Sequence, residues 1–211
     1  MLDETLWDDF IANFPGERDF IPVSLTQGNS IDEIATNITK TLPERFILAG
    51  FSLGGYVARA IYDANPDRTA AMILIATSLR ADSDRQKESR IAAARATSAK
   101  EFRGLSTTAI RKSLHTDSAF DAVTIDRIRN MGKRLGAEVF KAQSGLNRER
   151  ITIKPVTCPV YVIAAKQDQL RSMTEAEELA ALTSARMEYI DGCGHLIPVE
   201  KPLELAQLLA S

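Results

Sequence analysis

Residues 46–56, Phe46-Ile-Leu-Ala-Gly-Phe-Ser-Leu-Gly-Gly-Tyr56, decide how the rest of this sequence is read. Positions 46–49 are a short continuous apolar run, the pattern of a strand buried on both faces. Gly50 ends it, and Ser52 sits in a G-x-S-x-G pattern ahead of a helix-like stretch over 56–62. A nucleophile presented on a tight strand-to-helix turn needs small residues on both sides, because side chains there would strike the neighbouring backbone. The helix that starts at the turn adds its positive end, and the amide of Leu53 can point at a developing oxyanion. The plainer alternative is a glycine-rich turn with an incidental serine. A base and an acid elsewhere in the chain have to decide between them.

Outward from this turn, strand and helix signals alternate, which predicts a largely parallel sheet covered by helices. Leu6, Trp7, Phe10, Ile11 and Phe14 recur at helical spacing, so 3–14 reads as an amphipathic helix. Residues 19–25 read as a strand, with Pro22 marking an edge or irregular position. Ser30-Ile-Asp-Glu33 is a capping-box pattern, opening a helix with Ile31, Ile34, Ala35, Ile38 and Leu42 along one face. A second buried run occupies 71–76. Residues 80–148 hold no comparable run and are rich in Ala, Arg, Lys and Ser, which predicts several helices inserted between two strands. Alternation resumes after Pro155, with a strand at 160–164, a helix opened by Ser172-Met-Thr-Glu175, a strand at 187–190, a loop, and a last helix from Pro202. The expected organisation is a core of 1–79 and 149–211 interrupted by a helical cap at 80–148.

A serine hydroxyl needs a base, and the chain has two histidines. His115 lies in the inserted segment and reads as a solvent-facing residue at a helix end. His195 lies in Asp191-Gly-Cys-Gly-His195-Leu-Ile-Pro, the loop after the last expected strand. Loops at the carboxyl ends of parallel strands share one edge of the sheet, so Ser52 and His195 meet there. Asp168 follows the 160–164 strand by a short loop, at the same edge, where a carboxylate would fix the imidazole tautomer and stabilise its cation. Each residue alone has a mundane reading. Three strand-end positions in the order Ser52, Asp168, His195 argue against coincidence.

These residues resemble the α/β-hydrolase superfamily, in particular its small bacterial esterase-like members with a helical cap. The resemblance runs through Ala49-Gly-Phe-Ser-Leu-Gly-Gly-Tyr56, Asn65-Pro-Asp-Arg68, Cys158-Pro-Val160, Lys166-Gln-Asp168 and Gly192-Cys-Gly-His-Leu-Ile-Pro-Val-Glu-Lys-Pro202, almost the whole chain. It implies helices on both faces of a mostly parallel sheet, an inserted helical lid, and acyl hydrolysis of a small-molecule ester, thioester or lactone through an acyl-enzyme on Ser52. It also permits C–C bond hydrolysis or cofactor-free perhydrolysis, and implies no cofactor and no metal. Relatives with an aspartate nucleophile are disfavoured by Ser52. One departure concerns the start. Family members begin with at least one strand and a loop that supplies a second oxyanion amide, whereas here a helix begins almost at residue 1. The Leu2 amide, or the terminal amine of Met1, is then the expected second donor beside Leu53, and the missing strand predicts a weak or inactive catalyst, since one oxyanion donor is worth roughly 3–4 kcal/mol. An impaired protein that only binds a ligand or partner is the alternative. An unpaired strand edge would also favour pairing into a homodimer.

Composition narrows the field further. The net charge of -2 gives no overall attraction to nucleic acid, no apolar stretch is long enough for a membrane span, and the acidic start is unlike a secretion signal. A cytoplasmic protein is expected. Cys158 and Cys193 are far apart and lack zinc-ligand spacing, so two reduced thiols are expected. Residues 80–148 carry 15 Lys and Arg against 8 Asp and Glu. Most such charges form a solvated face, but the excess also predicts attraction for an anionic substrate.

Overall fold

The run ahead of Ser52 forms strand β1 (Phe46–Phe51) in the computed structural model, which describes residues 1–148 and 155–210. With β2 (Thr69–Ile75), β3 (Val160–Ala165) and β4 (Arg186–Ile190) it builds a parallel sheet in the order β1-β2-β3-β4. Ile73 of β2 pairs with Ala49 on one side and Tyr161 on the other. The two central strands are closed in on both faces, and Met72, Leu74, Ile75, Val162 and Ile163 are buried. A continuous apolar run is therefore what these positions require.

Side-chain alternation divides the sheet into two packed faces. On one, Phe46, Leu48, Met72, Leu74, Val160 and Val162 pack with residues of three helices, α2 (Ile31–Thr39), α3 (Leu53–Ala64) and α7 (Met173–Thr183). On the other, Phe51, Ile75, Ile163 and Ile190 pack with α1 (Asp8–Asn13), α8 (Ile197–Glu200) and α9 (Pro202–Ala210). Helices thus cover both faces, as expected. Between β2 and β3 come α4 (Asp84–Ala96), α5 (Thr107–Ser113) and α6 (Ala122–Gly145), the last interrupted where Gly136 leaves helical geometry at φ 80°. Ile110, Leu114, Ile125 and Ile128 of this segment join the second face. The expected boundary at residue 149 lies outside the described residues.

Helix 3–14 begins as a 3-10 turn, Glu4–Trp7, before α1. Its cap, Asp3, is buried and is gripped by the Arg134 guanidinium from α6 at 2.6 and 3.1 Å. Burial works to raise the Asp3 pKa, but the Arg134 and Thr5 hydrogen bonds outweigh it and hold the carboxyl below its ordinary value. The Ser172–Glu175 capping box forms as read. At α2 the box is only half made: Ser30 accepts from the Glu33 amide, while the Glu33 carboxylate reaches past it to the Asn29 amide at 2.8 Å.

The strand expected at 19–25 is absent. Phe20, Ile21 and Val23 suit an extended chain, but a strand exists only with a ladder partner. No backbone hydrogen bond joins 19–25 to β1 among the described residues, and Pro22 has no N–H to give. β1 is accordingly an edge, with Ile47 61% exposed. No helix among the described residues is long and apolar enough to cross a membrane.

Candidate active site

Ser52 occupies the turn between β1 and α3 with φ 51° and ψ −112°, a conformation that costs energy in any residue with a Cβ. Three contacts hold it there. The Ser52 N–H donates to the Ile75 carbonyl at 2.9 Å, and the Ser52 carbonyl accepts from the Gly55 N–H at 3.1 Å and from the Thr77 hydroxyl at 2.7 Å. The glycines around it divide the steric work unequally. A Cβ on Gly50 would lie 2.5 Å from the Gly54 carbonyl oxygen, and one on Gly55 would lie 2.4 Å from Thr77 Oγ1. Gly54, the second glycine of the motif, meets nothing within 4 Å. Gly55, outside the motif, is thus the tighter requirement.

Asp168 and His195 arrive from the ends of β3 and β4. His195 Nδ1 lies 2.7 Å from Asp168 Oδ2, and Nε2 lies 2.9 Å from Ser52 Oγ. The other oxygen of Asp168 accepts the Leu170 and Arg171 amides at 2.7 and 3.0 Å, so the carboxylate faces the imidazole in one orientation. Both side chains are buried, at 7% exposure for His195 and 2% for Asp168. In so dry a setting a hydrogen-bonded carboxylate stabilises an imidazolium strongly. Phe51 packs against the His195 ring, centroid to centroid 5.1 Å, and limits its swing.

The acid and base loops are also tied to each other. Gln167 donates to Asp191 at 2.7 Å and accepts the Cys193 amide at 3.2 Å, while Lys166 pairs with Asp191 at 2.9 Å. Hydrogen bonds from Gln167, Lys166 and the Gly192 amide drive the Asp191 carboxyl far below the usual aspartate range. Cys193 is fully buried and its thiol pKa is pushed well up, first by burial and then by the Glu200 carboxylate, which suits an inert packing residue. Cys158 is likewise a free thiol. Gln167 and Glu200 lie within the stretches that carry the resemblance, Asp191 directly before one of them and Thr77 outside them, but none of the four has a pattern that announces these contacts.

A cavity of about 1260 Å³ opens over Ser52 and His195. Leu53 and Leu2, the two expected oxyanion residues, both line it. The Leu53 amide is in the first turn of α3 and takes no acceptor among the described residues. The cavity also runs along β1 past Ile47 and Ala49, and Ala109, Lys112 and Ser113 of α5 form part of its wall. His115 keeps its expected place at a helix end, just after α5, but not its expected exposure. Its side chain is only 17% exposed, because the residue is drawn against the His195 loop, with its amide donating to Glu200 at 2.8 Å.

Residues 8–208 match the sequence pattern of the alpha/beta hydrolase family. The chain belongs to that family. No match was found among curated proteins. Solved structures extend the similarity of this family member over nearly its full length. A thermophilic esterase from Thermogutta terrifontis, with malate bound, is 26% identical at a TM-score of 0.78, covering 99% of this chain and 84% of its own. An enol-lactonase from Burkholderia xenovorans LB400 is 18% identical at 0.77, over 99% and 85% of the two chains. An esterase from Rhodococcus sp. ECU1013 is 16% identical at 0.77, again over 99% and 85%. At such identities the last two testify to the fold alone. The family is one of hydrolases, and the Thermogutta terrifontis protein to which this chain is similar is an esterase.

Proposed function

We propose that this protein is a serine hydrolase that cleaves a small-molecule ester, thioester or lactone through an acyl-enzyme on Ser52. The observation that carries the reading is the unbroken chain from Asp168 Oδ2 through the imidazole to Ser52 Oγ, at 2.7 and 2.9 Å. His195 Nε2 takes the hydroxyl proton as Oγ attacks the carbonyl carbon, and Asp168 stabilises the resulting imidazolium. The oxyanion of the tetrahedral intermediate is met by the Leu53 amide, with the Leu2 amide as second donor. On collapse the C–O or C–S bond of the leaving group breaks, and His195 returns its proton to the departing oxygen or sulfur. A water deprotonated by His195 then attacks the acyl carbon, the bond to Ser52 Oγ breaks, His195 returns the proton to Oγ, and the acid is freed.

An anionic substrate is supported by Lys112, a cavity-lining residue of α5 with no ion-pair partner among the described residues, and by the basic excess of its segment. The malate held by the Thermogutta terrifontis esterase is in keeping with it. A fluorophosphonate probe tests the central reading. Labelling of the wild-type protein on Ser52, lost in Ser52→Ala, is the expected result. An unlabelled Ser52 in a protein that still binds esters in its cavity would favour a pure binding module.

A further inference from the structure

We infer that Glu200 is a positioning residue for His195, holding the histidine loop against the segment that follows α5. The inference rests on the serine hydrolase reading only for its kinetic consequences. Glu200 is the last residue of α8 and is half-buried. Its two carboxylate oxygens serve two different parts of the chain. One accepts the His115 amide at 2.8 Å, and the other accepts the Gly194 amide at 3.0 Å.

The surroundings make this clamp tight. Gly194 lies against the 114–115 backbone so closely that a Cβ would come 2.5 Å from the Leu114 carbonyl carbon and 2.6 Å from the His115 nitrogen. On the far side of His195, the Leu196 amide donates to the Ser113 carbonyl at 3.3 Å. The residue before and the residue after the histidine are therefore both fastened, and the wall they are fastened to is the one that Lys112 and Ser113 present to the cavity. No neutral side chain does this equally well. A glutamine keeps one acceptor oxygen and would leave either the His115 or the Gly194 amide unsatisfied. Charge-assisted hydrogen bonds to two amides are also stronger than their neutral counterparts.

Small displacements of a base are expensive in rate, and misplacement by about 1 Å costs on the order of a hundredfold. Glu200→Ala is thus expected to lower kcat about tenfold to a hundredfold with KM within about twofold, and Glu200→Gln to fall between it and wild type. Rates are taken per active site, counted by titration, so that loss of folded protein is not read as loss of catalysis. The second measurement needs no turnover. With two histidines in the chain, the ring N–H of His195 bonded to Asp168 is readily assigned by NMR. Its solvent exchange should quicken about tenfold in Glu200→Ala and less in Glu200→Gln. A ring proton exchanging at the wild-type rate in both variants overturns the inference, whatever happens to melting temperature. Failure of wild-type Ser52 to label with fluorophosphonate would sink the hydrolase reading instead, and the ring-proton measurement would still decide the role of Glu200.

Discussion

Ser52 illustrates how much strain a single position accepts when its neighbours over-determine it. Its positive φ persists because Ile75, Thr77 and Gly55 each hold its backbone and because Gly50 and Gly55 leave room where a Cβ would collide. The same economy governs Asp168. Two amides engage one oxygen and leave the other for the imidazole, so the carboxylate meets the ring in one orientation, as the proposed triad requires. An amide at that position would be nearly isosteric but would favour the wrong imidazole tautomer. Asp168→Asn is therefore expected to reduce kcat by about 10⁴ with the circular dichroism spectrum unchanged. Steady-state ester hydrolysis on titrated sites checks it, and a loss of less than tenfold would remove Asp168 from the mechanism.

Among elements, the loops after β3 and β4 act as one unit, because Gln167 and Lys166 grip Asp191. A carboxyl whose folded pKa lies below its unfolded one adds stability that is fully present above the unfolded value, about 3.9 for aspartate, and that vanishes as pH falls through the folded one. Asp191→Asn should consequently lower the urea midpoint at pH 7, and the gap to wild type should close as pH is lowered below about 4. A gap that is constant with pH would show that the charge of Asp191 is irrelevant. On α5, Lys112→Gln should raise KM for an anionic monoester about two- to fivefold, leave a neutral analogue unaffected, and lose its effect at high salt. Equal KM changes for both esters would argue against an anionic substrate. These cross-loop ties also mark where sequence reading stopped. Ser52, Asp168 and His195 were legible because each follows a local strand signal, and their order along the chain is the one the resemblance carries. The limited exposure of His115 was not legible, because its segment is held by Glu200, 85 positions away, and no periodicity announces such a partner.

At the scale of the whole molecule, the four parallel strands and their covering helices followed from apolar runs and helical spacing, since both are short-range signals. Residues 19–25 did not, because their apolar side chains favour an extended backbone without naming a neighbour to pair with. The result is an open β1 edge beside the cavity, with an apolar side chain at Ile47 facing solvent. Unprotected edges of this kind promote strand addition between molecules. Ile47→Lys is expected to suppress concentration-dependent light scattering without lowering the melting temperature, and unchanged scattering would exonerate the edge.

The placement of α4, α5 and α6 between β2 and β3 has an evolutionary corollary. Closing a loop costs free energy that grows only logarithmically with length, about 0.6 kcal/mol for each doubling. Natural variation can therefore rebuild much of α4, α5 and α6 at little expense to the sheet, whereas Ala76 and Thr77, which pack beside Ser52, are held to it. The freedom is not uniform. Ser113, Leu114 and His115 are where the insertion touches the histidine loop, so a graft that moved this anchor would disturb the seat of His195.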